Sequence, residues 1–347
     1  MKSSSNKNRL RQFATLALAI SERILPDHGS KFAPKTYTQP QLLACLLLKE
    51  YLRLDYRTTQ EMLELSDGLR SALNLLSRVP DHSTLWWFAR HKLEPKLLQE
   101  ALEETVRRFK HGLRRPAEEN DTGGPLRRHD DDAPKERPTR VVALDSTGLF
   151  LSYSSRYFRW RAKRDRGQRG WLKWALALWV EPQMLVAQRV RPGPSGDFSD
   201  LVPLAESANT LLPFEQLLAD AGYDSEANHR FCREVLGVES LIRAKARRSK
   251  TVVAKTPYRK EMCRVLGDPG DPVLRGQYRQ RWKAETTMSV AKRKWGESLS
   301  ARREELQKAQ LLLRGVTYNL HRLVLLGLLR VRASLKRHSL SPAVGSV

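Results

Sequence analysis

The sequence predicts a mixed α/β protein preceded by a separate helical region. Three observations lead there. Short apolar runs recur after residue 139, and two of them end in an aspartate. Segments with helical apolar periodicity separate these runs. A stretch almost free of apolar residues, 111–138, divides this part from the helices before it.

Charge narrows the partners. The chain has 347 residues, with 62 Lys and Arg against 38 Asp and Glu, a net charge of +24. Such an excess points to a polyanion, with nucleic acid first. Eight tryptophans and a 40% hydrophobic fraction set the chain apart from ribosomal or packaging proteins of similar charge. Cys45, Cys232 and Cys263 lie far apart, with no CxxC pair and no disulfide framework, which suits a reducing compartment. The histidines show no zinc-ligand spacing. Residues 1–11 are polar and basic, and the apolar run 13–20 is short, so no secretory signal is read. The run 323–329 is also too short for a bilayer span, which needs about 20 apolar residues. The expectation is a cytosolic, nucleoid-associated protein with no membrane partner.

The elements follow in order. Residues 41–54 form a strongly apolar helical run, then 58–65 and 68–76. In Val79-Pro80-Asp81-His82-Ser83-Thr84, Asp81 or Ser83 caps a helix over 85–93. Short helices, a tight turn and a capped last helix suit a helix-turn-helix, and equally a plain helical bundle. Residues 111–138 read as a polar linker. Its His129-Asp130-Asp131-Asp132 reads as a solvated acidic patch. Residues 139–145 form a buried strand ending at Asp145. Strands 171–181 and 184–191 join at Pro182-Gln183. A helix over 197–212 and a strand over 214–219 lead to Asp220. Helix 225–236, strand 238–243, helix 278–295 and a long helix 304–332, broken at Gly315 or Gly327, complete the chain. A hairpin followed by right-handed crossovers makes the first and fourth strands neighbours. Asp145 and Asp220 then stand side by side at strand ends, where such sheets bind ligands.

The segment 278–292, YRQRWKAETTMSVAK, supplies a third acid. On a helix, Tyr278, Arg281, Glu285 and Lys292 fall within about 60° of one another. Trp282, Met288 and Trp295 lie to either side and are expected to pack inward. A charge run is ordinarily a solvated face. Here the only acid between Asp271 and Glu297 stands among cations. Three carboxylates can hold two hard divalent ions about 3.5–4 Å apart, and the cations can hold phosphate.

These four residues spell Tyr-x2-Arg-x3-Glu-x6-Lys. Together with Val141-Val-Ala-Leu-Asp145-Ser-Thr-Gly148, Leu218-Ala-Asp220-Ala-Gly-Tyr223-Asp224-Ser225 and the tail Gly315-Val-Thr-Tyr-Asn319-Leu-His-Arg322-Leu, they resemble the bacterial insertion-sequence DDE transposases of the branch marked by that signature. The resemblance covers about residues 139–325, with a weaker echo at 79–93. It implies a ribonuclease-H-like mixed sheet over 139–332. It also implies Asp145, Asp220 and Glu285 as a catalytic triad for two Mg²⁺ or Mn²⁺ ions, and Tyr278, Arg281 and Lys292 on the transposon end. Asp224 rivals Asp220, which is preferred because it directly follows the apolar strand, whereas a capping role suffices for Asp224. The interval from Asp220 to Glu285 leaves no room for the large insertion domain of some relatives.

Basic segments fit the same partner. Arg156, Arg159, Arg161, Lys163, Arg164, Arg166 and Arg169 interleave with Tyr157, Phe158 and Trp160. A second patch runs through Arg243, Lys245, Arg247, Arg248 and Lys250. Cations hold phosphate and aromatic rings stack on unpaired bases. The expected organisation is a helical DNA-binding domain at 1–110, the linker 111–138, the catalytic domain 139–332 and a basic tail 333–347. The expected reaction is cleavage of element ends and joining of the freed 3′-hydroxyl to target DNA. The partners would be terminal inverted repeats, target DNA and a second copy of the chain. Two other readings use the same features: a two-metal nuclease without strand transfer, and a DNA-binding protein with a dead centre. The presence of all three acids favours the active enzyme.

Overall fold

The computed structural model describes residues 8–32, 34–113, 139–151, 171–193, 195–245 and 254–328. Six helices come first: α1 (Arg9–Ile24), α2 (Gln39–Leu52), α3 (Tyr56–Leu65), α4 (Asp67–Ala72), α5 (His82–Lys92) and α6 (Pro95–Leu113). Thr38 and Gln41 form a capping box on α2, which ends where Arg53 turns left-handed at φ 59°. Helix α2 is buried almost all round, from Pro40 to Glu50, as expected of a helix without a polar face. Asp81 caps α5 by accepting from the Ser83 N–H at 2.8 Å. No helix among the described residues is long and apolar enough to cross a membrane.

The sheet comprises β1 (Val141–Leu151), β2 (Trp171–Trp179), β3 (Met184–Pro192), β4 (Gln216–Ala219), β5 (Glu239–Ile242) and the short β6 (Ser298–Leu299). Between them lie α7 (Leu201–Leu211), α8 (Glu226–Arg230), α9 (Pro257–Leu266), α10 (Pro272–Arg279) and α11 (Trp282–Trp295), and α12 (Glu304–Leu325) closes the described chain. The order is β3-β2-β1-β4-β5. The β1–β2–β3 meander is antiparallel, and β1, β4 and β5 are parallel. The first and fourth strands are neighbours, as the element order predicts.

Three boundaries differ from the sequence reading. Strand β1 does not end at Asp145 but continues to Leu151, because β2 pairs with it along that length. The predicted helix 278–295 is two helices. At the junction Arg281 N–H donates to Tyr278 O at 3.1 Å and Lys283 N–H to Gln280 O at 3.0 Å, both i to i+3 bonds that tighten the turn. The last helix runs unbroken through Gly315 and ends at Leu325, with Gly327 left-handed at φ 71° just beyond.

Helix α12 joins the two halves. It packs on α6, α2 and α1 and on edge strand β3, so the N-terminal helices and the sheet share one apolar cluster. Its polar residues run along the β2–β3 hairpin. Arg322 donates to Pro182 O at 2.8 Å, and the Tyr318 hydroxyl to Gln183 O at 3.0 Å. The Asn319 amide accepts from Leu185 N–H and donates to Leu185 O, both at 2.8 Å. The outer backbone edge at the start of β3 is thereby occupied at Leu185. At Gly315 an ideal Cβ would lie 2.0 Å from Gln188 Oε1, the atom that accepts from the Trp174 indole at 3.2 Å. Close approach of helix to strand therefore requires glycine there.

Arg314 and Glu50 are 2% and 4% exposed, and Arg314 Nε lies 2.8 Å from Glu50 Oε1. Arg314 also donates to Gly296 O at 2.9 Å. Removing one partner of such a pair leaves a buried charge. Glu50→Ala is expected to lower the unfolding free energy by about 3–5 kcal/mol, read from urea unfolding. A loss under about 1 kcal/mol, the worth of a solvated pair, would contradict this account.

Candidate functional site

The site begins with a register. Ala143 of β1 pairs with Leu218 of β4. Asp145 and Asp220 each lie two residues further on, so the pleat brings both to the same level. Strand β4 stops at Ala219, whereas β1 continues. Beyond it, β6 pairs with β1 at Phe150 and Leu151. Strand β2 holds the other edge of β1 as far as Phe150, so β4 and β6 flank one gap on the same edge. Asp145 sits at that gap. Helix α11 packs on β1 and leads through Gly296 into β6, and its first turn carries Glu285.

Each acid has a defined local hold. Asp145 Oδ1 accepts from the Ser146 N–H at 2.8 Å. Asp220 Oδ1 accepts from the Gly222 N–H at 2.7 Å and so caps the 3-10 turn Ala221–Tyr223. Glu285 Oε1 lies 2.6 Å from Arg281 Nη2, with the Glu285 side chain 54% exposed. Burial pushes the Asp145 carboxyl up to about 6. The Ser146 N–H and Arg281 oppose that rise, and the charges of Asp220 and Glu285 add to it. Asp145 thus feels the charges of both other carboxylates.

Tyr278 and Arg281 lie near these acids. Arg281 lies between Tyr278 and Glu285. Burial raises the Tyr278 phenol above its usual value; Arg281 and Arg243 oppose this and Asp220 reinforces it. Lys292, partly exposed further along α11, has no ion-pair partner among the described residues. Met288 and Trp295 are buried as expected, but Trp282 is 52% exposed beside Arg281, because the chain turns just before it. Arg156, Arg159, Trp160, Arg161, Lys163, Arg164, Arg247 and Arg248 lie outside the described residues.

Asp224 is fully committed elsewhere. Its buried carboxylate receives Arg259 at 2.8–3.0 Å and the Lys245 N–H at 2.8 Å, while Ser225 provides the cap of α8. The expected capping role for Asp224 is therefore replaced by an ion pair.

The structure also adds residues that sequence reasoning passed over. Asp197, read as the start of a helix, makes no capping hydrogen bond. Its Oδ1 accepts from Ser146 Oγ at 2.6 Å and lies 2.5 Å from Lys173 Nζ. Lys173 also meets the fully buried Asp200 at 2.8 Å, and Arg191 reaches the same carboxylate at 2.6 Å. Tyr223 is 1% exposed, and its hydroxyl has no hydrogen-bond partner among the described residues. Burial raises its phenol well above the usual value, and the charges of Asp197, Asp145, Asp200 and Asp220 add to this. The one sequence signal for Asp197 was an acid beside a Pro-Gly-Pro turn, which a cap explains as well.

The donor chemistry suits a hard divalent cation: every candidate ligand is a carboxylate oxygen, and Asp145 carries a charge that burial and its neighbours disfavour. Among the described residues no three acidic, histidine or cysteine side chains converge closely enough to enclose an ion. Glu285 is instead drawn to Arg281.

Comparison with curated proteins returned no match. Residues 136–320, more than half of the chain, match the family described as Transposase DDE domain. That span contains both strand-borne aspartates, the helix with Glu285 and most of α12. The chain belongs to the DDE-domain transposase family.

Proposed function

We propose that the protein cleaves the ends of its own insertion sequence and joins the freed 3′-hydroxyl to target DNA, on a ribonuclease-H-like sheet. The observation that carries this reading is the shared level of Asp145 and Asp220 at the gap between β4 and β6, with Glu285 on a helix that packs on β1. Asp145, Asp220 and Glu285 would hold two Mg²⁺ or Mn²⁺ ions. Such ions activate an attacking oxygen and stabilise the leaving one.

The chain's own groups do the positioning. Arg281 neutralises Glu285 in the free protein. A DNA phosphate arriving at Arg281 competes for that guanidinium and releases the glutamate toward Asp145. Tyr278, neutral, offers a hydroxyl beside Asp220 and Arg243. Lys292 supplies a free ammonium for the backbone further along the strand. Arg156, Arg159, Arg161, Lys163, Arg164, Arg247 and Arg248 would add positive charge for the DNA backbone. The helical region 1–110 would grip the element end, with α5 presenting the exposed Trp87, Arg90 and His91. Two ends must meet, so a homodimer on DNA is part of the proposal.

The direct test uses purified protein, the gene's flanking DNA as a labelled duplex, and Mg²⁺ or Mn²⁺. Wild type should nick the ends and give joined products. Glu285→Gln should reduce both by more than about 100-fold, the scale of several kcal/mol of lost charge stabilisation. Binding without cleavage by either protein would leave a DNA-binding protein only.

Lys292→Ala should weaken DNA binding for all sequences alike and lower the slope of log K against log salt by about 1. An unchanged slope would remove Lys292 from the DNA surface.

Asp145 gives a pH signature without metal. Its folded-state pKa, about 6, lies above the ordinary 3.8, so the folded state holds the proton more tightly. Stability is then lost as pH rises from about 4 to 6. Metal-free Asp145→Asn should be more stable than wild type at pH 7, with the gap closing below about pH 4. An equal or lower thermal midpoint for the variant at pH 7 would contradict the crowded-carboxylate account.

A further inference from the structure

The strand backbone just after Asp145 and the turn after Asp220 both approach one side chain, Asp197. On one side, Ser146 Oγ donates to Asp197 Oδ1 at 2.6 Å, immediately after Asp145. On the other side, an ideal Cβ on Gly222 would lie 2.6 Å from Asp197 Oδ2 and 2.9 Å from Asp220 Oδ1. Gly222 is also the residue whose N–H holds Asp220. Asp197 is therefore wedged between the backbone following the first acid and the turn that fixes the second.

Asp197 is itself held firmly. Lys173 rises from β2, opposite Gly148 of β1, with its side chain 4% exposed. It pairs with Asp197 at 2.5 Å and with Asp200 at 2.8 Å, and donates to Ser195 O at 3.2 Å. Asp200 is anchored in turn by Arg191. Lys173 and Asp200 are buried in this network and Asp197 is 30% exposed, while Asp200 Oδ1 and Arg191 Nε lack a hydrogen bond among the described residues, so what fixes Asp197 is its short contacts to Lys173 and Ser146. Close by, the buried Tyr223 hydroxyl has no hydrogen-bond partner among the described residues, and the charges of Asp197, Asp145, Asp200 and Asp220 act on it.

We propose that Asp197, anchored by Lys173, is a positioning residue: through Ser146 and the Gly222 turn it sets the separation of the Asp145 and Asp220 carboxylates, and so the affinity of the site for a divalent cation. The inference rests on the metal-binding reading above. Outer partners of metal ligands typically govern affinity by about 10–100-fold.

The test measures Mn²⁺ affinity by electron paramagnetic resonance on the full chain, together with the thermal midpoint, DNA affinity, and the Mn²⁺ concentration that half-saturates end cleavage. Three variants are compared: Asp197→Asn, Ser146→Ala and Ser146→Thr. Asp197→Asn and Ser146→Ala should each raise the Mn²⁺ dissociation constant about 10-fold or more, with DNA affinity unchanged. Ser146→Thr keeps the hydroxyl and should stay near wild type. Unchanged Mn²⁺ affinity in folded Asp197→Asn and Ser146→Ala overturns the positioning role, whatever the thermal midpoint does. A loss in Asp197→Asn that Ser146→Ala lacks makes Asp197 a direct ligand and also overturns it. If Asp197→Asn fails to fold, Ser146→Ala decides alone. Wild type that binds Mn²⁺ and cleaves nothing, with the variants still shifted, sustains the positioning role while removing the transposase chemistry. Wild type that binds no Mn²⁺ overturns both.

Discussion

The guanidinium of Arg314 is the point on which the rest of the structure hangs. Buried in the middle of α12, it is neutralised by Glu50 from the N-terminal α2 and donates to the carbonyl of Gly296. Three segments remote in sequence therefore meet at one charge. Gly296 ends α11 with φ 81°, and an ideal Cβ there would lie 2.8 Å from Arg53 Nη2, so the sharp exit from helix to β6 is a glycine's. Fixing that exit fixes the far end of α11. A helix is stiff over its length, so the placement of Glu285 beside the sheet depends on a contact made at the other end of its helix. The N-terminal helices contribute to the geometry of the acids without touching them.

What was legible in the sequence follows from periodicity. Two apolar runs each ending in an aspartate, joined by a right-handed crossover, put Asp145 and Asp220 at one level because strand side chains repeat every two residues. The extent of β1 was not legible. Ser146, Thr147 and Gly148 look like a turn, and only their pairing with β2 makes them strand. The break between α10 and α11 was hidden for a related reason. No proline or glycine marks Gln280 or Arg281, and the tightened turn appears only in the i to i+3 bonds. The stripe of Tyr278, Arg281 and Glu285 survives it because the chain keeps its helical sense.

Polar residues were the least legible, since their partners lie far along the chain. Asp224 and Asp197 both resemble helix caps in sequence. One is bound by Arg259, the other by Ser146 and Lys173. The tail from Gly315 to Arg322 was recognisable only by resemblance. Its physical content is a ladder of contacts on the β2–β3 hairpin: Gly315 admits Gln188, Tyr318 and Asn319 bind backbone at 183 and 185, and Arg322 binds Pro182. That ladder blocks the start of the β3 edge and docks the helix in one register. A pattern of spacing cannot reveal a partner 130 residues away, whereas a folded chain must satisfy it.

The arrangement places its electrostatic conflict where a ligand can relieve it. Asp145 is burdened by burial and by two neighbouring carboxylates, yet the surrounding charges are thoroughly paired: Lys173 with Asp197 and Asp200, Arg259 with Asp224, Arg314 with Glu50. The unrelieved negative charge is thus local to the gap between β4 and β6. Under the proposed function the partner that quenches it would bring positive charge on a small, oxygen-seeking body, to carboxylates that stand on β1, on the β4 turn and on α11. Arg281 serves as the partial substitute in the free protein, bonded to Glu285 and opposing the rise at Asp145. Under the proposed function, a phosphate that draws Arg281 away would free Glu285 without any motion of the sheet.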